Sequence, residues 1–376
     1  MATVAIARRA DATVAEKTQQ VIDLLGGLDR LVQRGSRVLI KPNFVAPFEK
    51  AVTNFDLIRT VVAAVRAAGG VPVIGESSGF EFHTATAFKV IGADKLAEEL
   101  DVELVNFDEA EIVEVTSNTG PLRRWQIARE VLEADCLINL PKLKGHTLTR
   151  VTFGLKNLMG TANRRTRRRM HVKGLSRTIP QLNRIVRPSV TIVDALEPLA
   201  RAVFSGRQAL GVVLASRDTV AVDRVCCGLL GVDEREIGHI ANAMESDLHD
   251  GTVDLVGDGL EDLPQVGLQA ESRRRGLHRA AMWVLYAADG PWSRLARRSL
   301  IPRVHYALAV RPHLVGDRCT RCGVCVEVCP ADAIDLNRKR IIASRCRLVR
   351  CMKCVEACPE GAIRLRGLRK PDEGAT

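Results

Sequence analysis

Cys319-Thr320-Arg321-Cys322-Gly323-Val324-Cys325-Val326-Glu327-Val328-Cys329-Pro330 is followed by a second run, Cys346-Arg347-Leu348-Val349-Arg350-Cys351-Met352-Lys353-Cys354-Val355-Glu356-Ala357-Cys358-Pro359. Thiolates two residues apart on a turn, with a fourth cysteine just before a proline, suit the four corners of an iron–sulfur cube. The proline turns the backbone away after the fourth ligand, because it cannot continue a helix. The runs match outside the ligands as well: Val326-Glu327 and Ala333-Ile334 recur as Val355-Glu356 and Ala362-Ile363, 29 residues later. Paired Cys-x2-Cys units also build structural zinc sites, which is the alternative metal. Eight cysteines and two Cys-Pro ends favour iron, and the expected cofactors are two 4Fe-4S clusters.

This internal repeat resembles the bacterial two-cluster ferredoxins. In that family the fourth cysteine of each motif ligates the other cluster. The resemblance therefore implies one cluster on Cys319, Cys322, Cys325 and Cys358, and another on Cys346, Cys351, Cys354 and Cys329. The second motif departs from the pattern, with four residues (Arg347 to Arg350) where two are usual.

A chain of 376 residues exceeds one typical domain. The expected divisions are an α/β domain over 1–270, a basic helical linker over 271–313, a two-cluster domain over 314–368 and a tail over 369–376. Cys136, Cys226 and Cys227 sit in apolar surroundings and read as buried core thiols. Cubes together with free thiols imply a reducing compartment, hence the cytoplasm. Arg8-Arg9 is followed by polar residues, so the N-terminus does not read as an export signal. No apolar run reaches the roughly 18 residues of a membrane span.

The net charge of +11 is concentrated. Residues 163–173 carry six Arg/Lys and no acid, and residues 271–313 carry nine Arg against two acids. Six cations in a row repel one another, so Asn163 to Lys173 is expected to be a mobile loop that an anion could order as a lid. In the linker, Arg273-Arg274-Arg275, Trp283, Tyr286, Trp292, Arg297-Arg298, His305 and Tyr306 alternate with apolar residues. A helix packed between domains accounts for that pattern; peripheral membrane contact is the second reading, and nucleic acid is disfavoured because no nucleic-acid fold accompanies the arginines.

Residues 1–270 alternate short apolar runs with amphipathic stretches, which implies a mostly parallel sheet with helices on both faces. Strands are expected at Val4–Ile6, Arg37–Ile40, Val71–Ile74, Val102–Val105, Ile112–Val115, Cys136–Leu140, Ser189–Val193 and Leu210–Ala215. Helices are expected at Thr13–Leu28, Asp56–Ala68, Ile127–Glu133 and Thr219–Leu230. Polar residues recur where these strands end: Lys41 and Asn43, Glu76 and Ser77, Lys142, Lys144 and His146, and Asp194. Ligands of open α/β sheets bind in the crevice beyond such ends. No Gly-x-Gly-x-x-Gly, Walker loop or serine elbow is present, which argues against nicotinamide, P-loop and serine-hydrolase chemistry.

Lys41-Pro42-Asn43, Pro141-Lys142-Leu143-Lys144-Gly145-His146, Thr152-x3-Lys156-Asn157-Leu158-Met159-Gly160 and His171 resemble the family catalogued as domain of unknown function 362. Its members are often joined to a ferredoxin-like domain, as the cysteine runs suggest here. The family name implies no activity, so chemistry must supply one. Lys41, Lys142, Lys144 and Lys156, with Asn43 and Asn157, read as a cradle for an anionic small molecule. Lys156 and Asn157 could instead position a helix. Glu76, His146 and His171 are the candidate proton carriers, with Asp194 a further one. The expected function is an iron–sulfur reductase passing electrons from two clusters to that anion. The alternative is an electron carrier that docks a redox partner protein and has no substrate of its own. The sequence leaves the oligomeric state open.

Overall fold

Valine- and isoleucine-rich runs separated by Gly, Asn and Asp turns become strands in the computed structural model, which describes residues 1–201, 205–207, 209–249, 251–261, 263, 266, 273–296, 299–301, 304, 311–349 and 351–366. Arg297, Arg298, His305, Tyr306 and the 369–376 tail lie outside the described residues. In chain order the strands of the large domain are β1 (Ala2–Ala7), β2 (Arg37–Pro42), β3 (Val71–Glu76), β4 (Glu103–Asn106), β5 (Ile112–Thr116), β6 (Arg124–Ala128), β7 (Cys136–Leu140), β8 (Lys142–His146), β9 (Arg150–Thr152), β10 (Val190–Arg201), β11 (Ser205–Arg207), β12 (Val212–Ser216) and β13 (Val253–Gly257). The main path runs β13-β1-β12-β10-β7-β2-β3-β4. Only β12 runs antiparallel to its two neighbours on that path; β13/β1, β10/β7, β7/β2, β2/β3 and β3/β4 are parallel.

Alternation along the strands feeds two apolar layers, as a sheet covered on both faces requires. Val38, Ile40 and Ile138 pack under the helices Val14–Leu24 and Phe55–Ala67 through Val21, Ile22, Val61 and Val65. Leu39, Leu137 and Leu214 face the other way, toward Ile179, Leu182, Val220 and Ala221. Thr13 starts the first of these helices with a capping box to Glu16. That helix stops earlier than its pattern suggests, at Leu24, because Gly26 and Gly27 adopt positive φ (87° and 81°).

Three local expectations are overturned. Ile127 belongs to β6, which pairs with β5 as a separate hairpin, and only Arg129–Glu133 is helical. Lys142 to His146 is strand β8 instead of a loop: β10 does not stop at Asp194 but runs on, and β8 pairs with its extension. Asn163 to Lys173 is no loop either. Arg164–Lys173 is a helix whose first turn is capped by the Asn163 side chain accepting from Thr166 N.

The C-terminal part is small and mostly turns. β14 (Arg311–Leu314) pairs with β17 (Ile363–Arg366), and β15 (Ile334–Asp335) pairs with β16 (Arg340–Ile341), all antiparallel. Short helices Val324–Glu327 and Lys353–Ala357 carry the equivalent cysteines of the two motifs. The class is therefore α/β with a small ferredoxin-like domain attached. Between them, the helix Arg273–Ala296 buries Met282 and Tyr286 and leaves Trp283, Val284, Trp292 and Leu295 exposed. No helix among the described residues is long and apolar enough to cross a membrane.

Candidate functional site

The chain folds the eight motif cysteines into two crosswise sets. Burial, and after it the Cys319, Cys322 and Cys358 thiols alongside, push the Cys325 thiol above its usual range. Burial, and then Cys346, Cys351 and Cys329, push Cys354 up to about 12. The fourth cysteine of each motif thus sits with the other motif's three. Cys319, Cys322, Cys325 and Cys358 line one cavity whose remaining wall includes Leu314, Leu336, Ala362 and Ile363. Backbone amides four residues on, Ala333 N and Ala362 N, donate to Cys329 Sγ and Cys358 Sγ at 3.3 Å, repeating the same contact in both halves.

Clustered buried thiols are costly to ionise unless a cation compensates them, so this donor set fits an iron–sulfur group. Among the described residues no three His, Cys, Asp or Glu side chains close on a single ion. In the irregular second motif, Cys346 lies in the helix Ala343–Val349.

The second site lies where parallel strands β2, β3 and β7 end together. Lys41 and Glu76 leave adjacent strands and meet as a fully buried ion pair at 2.7 Å. Glu76 accepts further from Ser77 N and Phe44 N. Lys142 and Asp194, brought face to face by the β8/β10 register, pair at 3.0 Å and are also buried. Asp194 in addition accepts from Asn54 N. Lys144 donates to Asn43 Oδ1 (2.5 Å) and Ala51 O (2.9 Å). Asn43 donates to Asn157 Oδ1, and Asn157 donates to Asn139 Oδ1, both at 2.8 Å. The expected residues do converge, but Lys41, Lys142 and Lys144 form a compensated layer beneath the cavity. They are not its walls. Burial, then the Lys156 and Lys142 charges, lowers Lys144 to about 7.

The cavity itself is open, with a volume of about 780 Å³ including its mouth. Asn43, Glu76, His146, Lys156, Asn157 and His171 line it, together with Glu81, Arg167 and Tyr286. Lys156 and Asn157 ride on the short helix Gly154–Asn157. Asp223 fixes it by accepting from Gly154 N (2.8 Å) and Leu155 N (3.0 Å). A side chain at Gly154 would press on Asp223 and Thr219, and one at Gly160 on Glu76 Oε1 at 2.0 Å. Glycine is required at both for close approach.

Lys156 Nζ lies 3.1 Å from His146 Nε2. His171 donates from Nδ1 to Arg167 O (2.8 Å) and stacks on Tyr286, with ring centroids 4.2 Å apart. A second cavity of about 1000 Å³, again including its mouth, shares His171, Leu148, Met282 and Tyr286 with the first, and His239 lines it. His239 Nε2 is buried with no hydrogen-bond partner among the described residues, and burial lowers that imidazole to about 3.

The arginine run is held by distant acids. Arg164 and Arg167 share Asp108, and Arg168 pairs with Asp289 of the Arg273–Ala296 helix. Asp108, Glu81, Tyr286 and His239 were not singled out as site residues from sequence. Asp108 follows β4 by two residues, so the strand-end rule that found Glu76 could have found it. Nothing local marks His239.

The small domain meets the large one beside this site. Lys353 pairs with Glu49 at 2.6 Å and Glu356 with Lys50 at 3.0 Å. The turn Glu49–Ala51 that supplies both partners also supplies the carbonyl bonded by Lys144.

Comparison with known proteins agrees with the two halves. The family model described as 4Fe-4S dicluster domain matches residues 311–368, which gives the C-terminal domain an electron-transfer role. The thylakoid-associated protein sll1697 of Synechocystis sp. (strain ATCC 27184 / PCC 6803 / Kazusa) is 27% identical over 234 residues, 59% of this chain and 71% of that protein. The lactate racemase apoprotein from Thermoanaerobacterium thermosaccharolyticum superposes with a TM-score of 0.43 at 14% identity; the match covers 61% of this chain and 57% of that one. The model described as Domain of unknown function (DUF362) matches residues 38–228, just over half of the chain, and the chain belongs to that family.

Proposed function

We propose that this protein is a reductase in which two 4Fe-4S clusters, one on each thiol set, feed electrons to a small polar molecule seated in the Lys156–His146–His171 cavity. One observation carries the reading: the helix Lys353–Ala357, which bears Cys354, is tied by two ion pairs to the turn beneath that cavity. Such clusters, when bound, would supply electrons one at a time. The chain's own residues do the rest. Arg167 stands in the wall as a fixed cation, locked by Asp108 and by Ser78 O. A carboxylate or phosphate on the ligand would find its charge partner there. The Lys41–Glu76 and Lys142–Asp194 pairs hold the strand ends in place.

Among the proton carriers, His171 is favoured over His146. His146 Nδ1 already accepts from Leu148 N (3.1 Å) and Thr149 N (3.3 Å), so it cannot take a second proton without breaking both bonds. His171 gives its Nδ1–H to a carbonyl, a contact that an imidazolium keeps. Glu76 accepts at both oxygens and serves as an anchor.

The test is anaerobic. Holoprotein reduced with dithionite and desalted is mixed with a panel of small carboxylates, carbonyl compounds and phosphates, and cluster reoxidation is followed by absorbance. Reoxidation by one compound with recovery of its reduced product supports the reductase. Reoxidation only when a second redox protein is added supports the carrier reading and overturns this one.

A further inference from the structure

The hydrogen bonds around His146 bear on which form of Lys156 its ring can bond. Two backbone N–H groups, of Leu148 and Thr149, point at His146 Nδ1. The Thr149 hydroxyl, which also lies beside that nitrogen, donates to Val151 O at 2.8 Å. Nδ1 is therefore an acceptor, and a neutral imidazole must then carry its proton on Nε2. That Nε2–H faces Lys156 Nζ at 3.1 Å. An ammonium there would place donor against donor, so this hydrogen bond forms when Nζ presents its lone pair.

We propose that the Nε2–H of His146 favours the unprotonated amine of Lys156 at the cavity wall, and that this amine captures the carbonyl carbon of a small aldehyde or ketone. The proposal deepens the reductase reading by naming a ligand class, and it rests on that reading only in taking the cavity as a small-molecule site.

Several charged or titratable groups surround Nζ. His146 comes from β8, Glu81 from the segment after β3, Arg167 and His171 from the helix Arg164–Lys173, and His239 from the helix Gly238–Met244. Glu76 also lines the cavity but is bound by Lys41. Burial lowers Lys156 to about 8, against the opposing pull of Glu81. At pH 7 its neutral fraction would be on the order of a few hundred times that of an ordinary lysine. Lys144 is lowered too, but both its contacts lie beneath the cavity and it is no part of the wall.

Lysine amines freed of their proton by desolvation are established carbonyl nucleophiles. The Nζ lone pair forms a bond to the carbonyl carbon while the C=O π pair moves to oxygen, which takes a proton. Loss of that hydroxyl as water, with a proton from nitrogen, leaves an imine. The balance is amine plus carbonyl giving imine plus water, and no electrons are exchanged. Once the imine is protonated, Glu81 and Glu76 are the carboxylates at hand in the wall.

The experiment uses the anaerobic full-length holoprotein, glyoxylate as probe and cyanoborohydride as hydride donor, with peptide mapping by mass spectrometry across pH 6 to 10. Lys156 is expected to acquire the reduced adduct at least about tenfold faster than surface lysines at pH 7, with a midpoint near 8. In His146→Leu, which keeps the burial but removes the Nε2–H, the midpoint should rise above that of the parent; in His146→Gln, whose amide can still donate, it should rise less. Lys156→Arg removes the adduct and leaves the cluster spectrum intact. Labelling of Lys156 no faster than surface lysines overturns the proposal. Fast labelling with the same midpoint in His146→Leu overturns the role of the histidine. Neither outcome depends on electron delivery, so a failed adduct and a failed reductase assay are separate results.

Discussion

Replacing Gly160 with alanine tests whether the buried charge layer beneath the cavity is as tightly fitted as it looks. A Cβ at this position would lie 2.0 Å from Glu76 Oε1 and 3.1 Å from Lys41 Nζ, and the residue's own carbonyl accepts from Ser77 Oγ at 2.7 Å. The carboxylate must retreat by about 1.4 Å to restore van der Waals contact, and Lys41, whose acid partner it is, is fully buried. Overpacking alone costs about 1–3 kcal/mol, and breaking a buried ion pair about 3–5 kcal/mol. Displacing the pair without deleting a member falls between, so about 3 kcal/mol is expected. Urea unfolding of anaerobic holoprotein, followed by fluorescence, reads it well. Trp125 is fully buried in the large domain, while Trp283 and Trp292 are already exposed and change less. Glu76→Gln should absorb part of the penalty, giving a non-additive double variant. A change below about 0.5 kcal/mol in Gly160→Ala, or strict additivity with Glu76→Gln, would refute the fitted-layer argument.

Two further outcomes follow from the same geometry. Anaerobically purified protein should hold about eight iron and eight sulfide per chain, and Cys346→Ala should lower the content toward one cluster, since Cys346 sits in only one thiol set; mainly zinc, or iron near four in the parent, would contradict the two-cluster assignment. Asp223 is raised to about 7, mainly by burial, with its two backbone hydrogen bonds pulling the other way. The folded state then holds a proton that the unfolded chain gives up near pH 4, so its contribution is complete below that value and is lost as pH rises through about 7. Asp223→Asn should flatten this part of the stability profile between pH 4 and 8 in urea titrations, and parallel profiles for the two proteins would count against it.

Most of the strand framework and the cysteine sets were legible in the sequence because both are local signals. A ligand spacing of two residues survives in any tertiary context, and a run such as Cys136 to Leu140 is buried on both faces wherever its sheet lies. Two of the failures share one cause, which is pairing over long separations. Six cations between Asn163 and Lys173 read as a repelling loop because Asp108 and Asp289 are far off in the chain. With those acids in place the repulsion is compensated, and the helix forms with Asn163 as its cap. Lys142 to His146 read as a loop because alternating lysines are poor strand formers in isolation. They become strand because β10 continues past Asp194 and offers an edge, and because each lysine finds a buried acceptor. Glu76 and Asp194 were recognised as polar strand ends, yet without the sheet order they could not be matched to Lys41 and Lys142.

That matching changes what the lysines are for. Four uncompensated ammonium groups would attract an anion strongly but would also repel one another in a low-dielectric pocket. The protein instead neutralises two with carboxylates and gives a third to an amide and a carbonyl, which leaves Lys156 as the lysine in the cavity wall. Buried ion pairs are weak sources of stability compared with apolar packing of the same volume. Their value here is positional: they fix the ends of β2, β3 and β8, and through Asn43 and Asn157 they fix the turn that carries Lys156. A neutral amine needs that precision more than an ammonium does. Burial lowers Lys156, and the directed contact with His146 that favours the amine is lost if either residue shifts. The buried charge layer and the unprotonated lysine are on this argument one device, and Gly160→Ala should raise the midpoint of Lys156 labelling along with lowering stability.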